Sequence, residues 1–393
     1  MGVVSDVQQF LLTDKALHDI LGVIGSMVAV LASLSLFLSR HKDPTLSRWL
    51  ADPKTNASKR ATEVWFVAYG CFWISCFALI IGTKVYLQFT EVTFLVVCGG
   101  LMLPLVLQPV LAPSVTLDQG KPLLERHSFK ANVWIAVFSI IGNYWYTHYF
   151  YNVLRASYTF RSWDVNGVPI PMFFATHFYF CFYHTLSNMA LHKVRTTFCA
   201  GSPRLLFETC LVLVMSYVTA FMEALTISGF ECYSFEDRYM AWVLGSAFYG
   251  FVCPSRALHT VPSYCLVSWA QPQHTRVTTY TDKRTHTCTH THAHIHTCTH
   301  AHMHTYTHLN TIRLLCRIYF IVSFPMYVRL DEDVKRRHTA FDALIESLAS
   351  GMAVLFLLDF VRVAMGQDMT FTLNRPCKLD PLKTCPPFAG MRC

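Results

Sequence analysis

The sequence predicts an all-α protein, a polytopic transmembrane bundle of about seven or eight membrane-spanning helices. Hydrophobic residues make up 53% of the 393 residues, and charged residues make up only 14%. This composition is typical of an integral membrane protein. Apolar runs of about 20 residues, the length needed to cross a bilayer, recur along the chain. The 30 Phe and 18 Tyr residues favour aromatic belts at the two membrane interfaces.

The first apolar run, residues 20–38, is uncharged and predicts a membrane helix or signal anchor. A cleaved signal peptide is the alternative. The run is long for the apolar part of such a peptide, and Asp6, Asp14 and Asp19 precede it where a signal peptide carries basic residues. We therefore expect residues 1–48 to form an N-terminal extension that contains this helix.

Six further uninterrupted runs are long enough to cross a bilayer. They are residues 64–83, 92–113, 131–154, 171–191, 205–229 and 343–366. If these spans alternate in direction, the dense basic clusters around Lys59, Lys121, Lys193 and Lys335 all fall on one face, which the positive-inside rule assigns to the cytosol. The net charge of +8 is therefore interpreted as a topology signal, and no nucleic-acid partner is expected.

One span is interrupted. Residues 240–250 and 318–328 are apolar, but each is too short to cross the hydrocarbon at about 1.5 Å per residue. The intervening residues 251–317 contain a stretch in which His alternates with Thr and other residues. Alternate His residues could bind zinc or copper, but a translated CA dinucleotide repeat gives the same pattern. We expect 251–317 to be a retained intron or a disordered insertion, with no metal site.

Two of the predicted spans, 131–154 and 171–191, carry several polar residues at depths where polar groups are costly and usually face the bundle interior. In the latter span His177, His184 and Asn188 lie on one helical stripe together with Cys181. This shared face predicts that the stripe points toward the neighbouring helices.

The span 131–154 has two pairs of side chains spaced by four residues. Asn143 pairs with Thr147, and Tyr144 pairs with His148. Tyr144 and Tyr151 add aromatic faces that can stabilise a cation. Tyr residues near helix ends are also common interface anchors, so this alternative stays open.

These aromatic-rich segments resemble the cycloeucalenol cycloisomerase family. The resemblance rests on long runs, not on one short motif. They are KANVWIAVFSIIGNYWYTHYFYNVLRASYTF (130–160), THFYFCFYHTLSN (176–188), TKVYLQFTE (83–91), WLADPKTNASKR (49–60) and IYFIVSFPMYVRLDE (318–332). The resemblance implies a membrane domain at 49–250 and 318–366. Residues 1–48, the insertion 251–317 and the tail 367–393 do not match the family pattern.

The resemblance implies an isomerase of sterol biosynthesis in the endoplasmic reticulum membrane. Such an enzyme opens the 9β,19-cyclopropane ring of a 4α-methyl sterol such as cycloeucalenol and gives the Δ8 sterol obtusifoliol. The implied partners are the sterol substrate and membrane lipid, and no cofactor is implied. The oligomeric state is left open.

Ring opening needs a strong acid in a dry site, because a cyclopropane is a feeble base. Glu223, on a polar stripe of the run 205–229, is the predicted proton donor, because a desolvated carboxyl can stay protonated near neutral pH. His148 or His184 is predicted to act as base or relay. The predicted substrate-binding residues are Asn143, Tyr144, Thr147, Tyr151, His177 and Asn188.

Simpler roles for the predicted catalytic residues remain as alternatives. The two histidines can be inter-helix hydrogen-bond partners, and Glu223 can hold a neighbouring cation. The alternative functions are a Δ8–Δ7 sterol isomerase and a non-enzymatic lipid-binding or transport protein. A transporter would favour internal repeats, and the sequence shows none.

Overall fold

The described residues of the computed structural model are 15–145, 151, 156–228, 230–235, 319–331 and 337–364. They form eight α-helices and two small antiparallel sheets. The helices are α1 (Lys15–Ser35), α2 (Ala57–Gly82), α3 (Glu91–Leu111), α4 (His127–Trp145), α5 (Ile170–Thr197), α6 (Ser202–Ser228), α7 (Tyr319–Val328) and α8 (Ala340–Ala364). Each uninterrupted apolar run of the sequence coincides with one of these helices, and the helical fold class is confirmed.

Within this part of the chain, three helices are long and apolar enough to cross a membrane, judged by length and composition. They are α1, through His18–Ser35, and the whole of α2 and α3. These helices support membrane association. The larger number of spans stays a prediction.

Helix α5 is the centre of the bundle. It begins with Pro171 in its first turn, where the missing N–H has no intrahelical partner to lose. It packs against α2, α3, α4, α6 and α7. Helix α8 lies against α4, with Gly351 facing Ile141 so closely that a Cβ would have no room. Helix α1 lies against α6.

The beginnings of α2 and α4 meet the end of α7 at one end of the bundle. Lys59 Nζ donates to the carbonyl oxygen of Leu330 at 3.1 Å, and Lys130 Nζ lies 2.6 Å from a carboxylate oxygen of Asp331. Ser58 Oγ donates to Asp118 Oδ1 at 2.5 Å. We call this the basic end, because the clusters around Lys59 and Lys121 lie there together.

The other end of the bundle carries the two sheets. Strand β1 (Ala156–Tyr158) pairs antiparallel with β4 (Tyr233–Phe235). Strands β2 (Asp164–Val165) and β3 (Val168–Pro169) form a hairpin. The hairpin turns at Asn166 and Gly167, both with positive φ of 55° and 76°, which is the backbone of a tight hairpin turn. We call this the sheet end.

The interrupted span is represented by α7, which has 10 residues. At about 1.5 Å per residue it is about 15 Å long, half the thickness of the hydrocarbon. It nevertheless packs within the bundle, against α5, α6 and α8. The other predicted half, 240–250, and the segment 251–317 lie outside the described residues.

Candidate functional site

An apolar pocket of about 730 Å³ lies at the sheet end. Its walls are the end of α2, the first half of α3, the first turns of α5 and the segments beside β1 and β4. The lining residues are Phe77, Ile80, Ile81, Tyr86, Phe89, Phe94, Val97, Cys98, Tyr158, Phe160, Pro171, Met172, Ala175, Phe230 and Tyr233. Almost all of the surface that they present to the pocket is apolar.

Aromatic pairs hold the outer wall of this pocket together. The ring centroids of Phe94 and Phe160 are 4.6 Å apart, and Tyr158 stacks on Tyr233 at 4.5 Å. The β1–β4 pairing is continued by a hydrogen bond from the Thr159 N–H to the Cys232 carbonyl at 2.8 Å. Two chain segments that are distant in sequence therefore close the pocket.

The pocket is suited to a rigid hydrocarbon ligand. Small-molecule sites in proteins are lined mostly by apolar and aromatic side chains, as this pocket is. Aromatic ring faces also attract a cation that lies within about 6 Å of the ring centre. The arrangement can bind an apolar molecule and can stabilise positive charge that develops on it.

Asn143 of α4 lies beside this pocket. Its Nδ2 donates to Thr176 Oγ1 at 2.6 Å and to the Ser139 carbonyl at 2.9 Å. Thr176 directly follows Ala175, which lines the pocket. This hydrogen bond therefore holds the side chain of Asn143, a predicted substrate-binding residue, between α4 and α5.

Tyr144 and Tyr151 contact the β2–β3 hairpin. The Tyr144 side chain is 40% exposed, and its carbonyl accepts a hydrogen bond from Asn166 Nδ2. The Tyr151 hydroxyl donates to the Gly167 carbonyl at 2.6 Å. Both predicted residues lie at the sheet end, although neither lines the pocket.

His177 connects three helices and is buried. Its Nε2 donates to Asn132 Oδ1 on α4 at 3.0 Å, and Asn132 Nδ2 donates to the Leu105 carbonyl on α3 at 3.0 Å. In the structure this predicted residue is an inter-helix hydrogen-bond partner.

His184 is fully buried and lies about 13 Å along α5 from Ala175. Its Nδ1–H donates to the Phe180 carbonyl at 3.1 Å, so its Nε2 accepts from the Ser323 hydroxyl of α7 at 3.2 Å. Aromatic rings surround the imidazole with centroids 5.0–5.8 Å away. They belong to Trp134, Phe138, Phe180, Phe324 and Tyr327.

Asn188 lies further along α5, at the basic end, where it lines a small polar chamber of about 230 Å³. The other lining residues are Lys59, Thr62, Glu63, Phe66, His127, Thr185, Tyr327 and Leu330. Asn188 Nδ2 donates to Glu63 Oε1, and Glu63 Oε2 accepts from the Ala51 N–H at 2.8 Å. The structure thus brings Asn188 to Glu63 and keeps it apart from Asn143.

A buried ion network borders this chamber. Asp331 Oδ2 lies 2.8 Å from His127 Nδ1 and 2.6 Å from Lys130 Nζ. Burial alone would raise the pKa of Asp331, but the hydrogen bonds and charges of His127 and Lys130 hold it well below its usual range. Asp331 is therefore ionised at neutral pH and neutralises the buried ammonium group of Lys130.

The sequence reasoning did not select Glu63, Lys59 or His127 as site residues. Lys59 counted only as a charge that flanks a span and indicates topology. The signal that could have found Glu63 is its place one residue before the predicted span 64–83, where a carboxyl is easily drawn into the bundle.

Three predicted residues have no described side chain. Thr147 and His148 lie outside the described residues, and Glu223 belongs to α6 while its side chain lies outside them. The backbone of Glu223 lies five residues before α6 ends at Ser228, near the sheet end. In the described part of the chain, no three His, Cys, Asp or Glu side chains lie close enough together to hold a metal ion.

The helices and the pocket define a class of protein: a membrane-associated helical protein with an internal site for an apolar ligand. The chain is 31% identical to cycloeucalenol cycloisomerase from Arabidopsis thaliana over 343 residues, which covers 86% of this chain and 96% of that protein. The chain belongs to the cycloeucalenol cycloisomerase family and is an isomerase, which confirms the resemblance seen in the sequence. No family model and no solved structure matches it.

Proposed function

We propose that this isomerase opens the 9β,19-cyclopropane ring of cycloeucalenol-type 4α-methyl sterols and forms the Δ8 sterol obtusifoliol. The observation that carries the proposal is the similarity to the Arabidopsis cycloeucalenol cycloisomerase along most of both chains. The apolar pocket supports it, because the apolar and aromatic lining suits a sterol nucleus.

The reaction requires one proton gain and one proton loss. An acid adds a proton to C19, the C9–C19 bond breaks, and C19 becomes a methyl group on C10. Positive charge develops at C9. A base then removes the proton from C8, and its C–H electron pair forms the C8–C9 double bond. The sterol is neither oxidised nor reduced, so the residues must supply only acid, base and a dry environment for the cation.

The proposed proton donor is Glu223. Its backbone lies about 8 Å along α6 from the helix end, and α6 packs against strand β4, whose Tyr233 lines the pocket. The proposed reaction centre is therefore the side of the pocket that faces α4 and α6. Aromatic faces of the lining, such as those of Phe94 and Tyr158, would stabilise the cation.

The proposed base is His148 or His184. His148 comes three residues after the last residue of α4, Trp145, whereas His184 is about 13 Å along α5 from the pocket. We therefore propose His148 as the base and His184 as a residue that positions α5 against α7. Asn143, Tyr144, Thr147, Tyr151 and His177 complete the proposed substrate-binding set, and Asn188, which lines the polar chamber, is a proposed positioning residue of α5.

The proposed setting is the endoplasmic reticulum membrane, with seven or eight spans by the sequence argument and the basic end in the cytosol. The proposed catalytic domain comprises 49–250 and 318–366. The short α7 supports the proposal that 251–317 is an insertion, because joining 240–250 to it would give a helix of ordinary length.

The decisive assay measures sterol products by gas chromatography, with cycloeucalenol and a Δ8 sterol offered in parallel to the chain that lacks 251–317. Conversion of cycloeucalenol alone supports the proposed reaction, and conversion of the Δ8 sterol alone supports a Δ8–Δ7 isomerase. Glu223→Gln should lower turnover by at least about 100-fold, the contribution of a general acid. The control is Glu208→Gln on the same helix, whose carboxylate pairs with Arg195 and Arg204. Near-normal turnover of Glu223→Gln contradicts the assignment.

Transcript sequencing across codons 250–318 tests the insertion. Mature transcripts that lack the block support a restored helix. If the block is translated, the full-length chain should be misassembled and inactive, and normal activity of that chain would contradict the proposal.

A further inference from the structure

The polar chamber is separate from the apolar pocket. Glu63, in the chamber, and Phe77, in the pocket, lie about 21 Å apart along α2. No lining residue is shared between the two cavities. The proposed ring opening therefore leaves most of the chamber residues without a role.

Glu63 is an unusual carboxyl in this fold. The buried carboxylates Asp118, Glu208 and Asp331 each have a cation within ion-pair distance. For Glu63 the described part of the chain shows only neutral hydrogen-bond donors, the Ala51 N–H and the Asn188 amide. The nearby Lys59 Nζ instead donates to the carbonyls of Val328 and Leu330.

Asn188 presents a second unusual group. Its side chain is 2% exposed, its Nδ2 is used by Glu63, and its Oδ1 has no hydrogen-bond partner among the described residues. A buried carbonyl oxygen without a donor is costly. Since Asn188 lines the chamber, the missing donor is expected to come from a molecule bound there.

The size and lining of the chamber limit what that molecule can be. The chamber has room for about one water molecule, or for one hydroxyl group at the polar tip of a larger ligand. The ligand must donate one hydrogen bond to Asn188 Oδ1. It can accept one in return from a chamber donor such as the Lys59 ammonium group.

We propose that the polar chamber is a hydroxyl-binding site. It takes a single O–H group that donates to Asn188 Oδ1 beside Glu63. The hydroxyl belongs either to water or to a lipid alcohol, such as a sterol molecule that is distinct from the one in the apolar pocket. The site rests on the geometry of Glu63 and Asn188 and does not depend on the proposed reaction.

The first test is a cryo-electron microscopy map, in phosphatidylcholine nanodiscs, of the same chain without 251–317 that the sterol assay uses, prepared with and without a sterol alcohol. Density within hydrogen-bond distance of Asn188 Oδ1 in both samples identifies water. Density that continues into a sterol body, only when sterol is added, identifies the lipid alcohol. A chamber without density in both samples overturns the proposal.

The second test uses sterol affinity, measured by tryptophan fluorescence in the same nanodiscs. For a bound lipid alcohol, the 3-hydroxysterol should bind about tenfold more tightly than its 3-O-methyl ether, which has no proton to donate. Asn188→Leu should remove the difference, and Asn188→Gln, which keeps both the acceptor and an amide donor for Glu63, should retain it. For bound water, the two sterols should bind equally in all variants while the density persists in wild type.

The matched control is Gln108→Leu. Gln108 is also a buried amide whose side-chain oxygen has no partner among the described residues, but it lies outside the chamber. Loss of sterol discrimination in Gln108→Leu as well as in Asn188→Leu would attribute the effect to general destabilisation and overturn the lipid-alcohol arm. Both tests measure density or sterol affinity and not turnover. A negative result for the hydroxyl-binding site is therefore distinguishable from failure of the proposed reaction.

Discussion

The apolar pocket and the polar chamber use the same two helices in opposite ways. Helix α2 contributes Glu63 to the chamber and Phe77 to the pocket, and α5 contributes Asn188 and Ala175. The chamber lies at helix ends, where free backbone carbonyls such as those of Val328 and Leu330 accept from Lys59. The pocket instead is closed by aromatic rings and paired strands. Among the described residues, the buried charged side chains therefore cluster at the basic end, whereas the sheet end holds the apolar pocket and the exposed Lys84–Glu231 pair.

The largest expected effect is on the ion network beside the chamber. Asp331→Asn should lower the free energy of unfolding by about 3–5 kcal/mol, because it leaves the Lys130 ammonium buried without its partner. The lowered pKa of Asp331 means that its contribution is present above its unfolded value of about 3.9 and is lost as the pH falls through the folded pKa. Thermal unfolding in nanodiscs at neutral pH measures the loss.

Two controls accompany this variant. Arg48→Gln breaks the more exposed Arg48–Asp52 pair, whose side chains are 33% and 36% exposed, and should leave the thermal unfolding midpoint almost unchanged. The double variant Lys130→Met/Asp331→Leu should recover part of the loss, because it removes both charges. Equal losses of stability in Arg48→Gln and Asp331→Asn would show that the buried ion network stabilises the fold no more than an exposed ion pair does.

The next largest effect is expected at the contact between α2 and α5, the two helices that line both the chamber and the pocket. Gly70 of α2 faces Phe182 of α5, and a Cβ there would collide with the ring. Gly70→Val should cost about 1–3 kcal/mol through overpacking, and it should weaken sterol binding as well because α2 lines the pocket. The control is Gly82→Val, at a position with no atom within 4 Å of an added Cβ. Unchanged stability of Gly70→Val would mean that the helices can separate without cost.

A smaller effect is expected on the pocket alone. Ala175→Trp places a large side chain in the pocket and should weaken sterol binding by about tenfold, equivalent to about 1.4 kcal/mol. The thermal unfolding midpoint should change little. Ala78→Trp, on the exposed side of α2, makes the same change outside the pocket and should bind sterol normally. Normal binding by Ala175→Trp would exclude this pocket as the sterol site.

The smallest effect is a pH dependence at the basic end. His338 Nε2 lies 3.0 Å from Glu346 Oε1, and this hydrogen bond raises the pKa of His338. A raised histidine pKa contributes stability that is full below the unfolded value of about 6.5 and is lost as the pH rises through the folded pKa. Between about pH 6 and pH 8 the unfolding midpoint of wild type should therefore fall more than that of His338→Gln. If the unfolding midpoints of wild type and His338→Gln change equally with pH, the pH dependence does not come from His338.

The helical fold could be predicted from the sequence, because bilayer thickness fixes the length of an apolar run. The aromatic runs at 130–160 and 176–188 also indicated the family. The same reasoning could indicate that His177, His184 and Asn188 share one face of α5. It could not indicate their partners, because partners depend on how neighbouring helices are rotated and how far each one slides along the next.

The sequence by itself thus determined where the helices lie, that polar groups sit among them, and which family the chain belongs to. The tertiary structure alone decided that Asn188 meets Glu63 and that Tyr158 stacks on Tyr233. Hydropathy records whether a residue avoids water. It carries no information about which distant segment covers that residue, since this is settled by side-chain packing across the whole bundle.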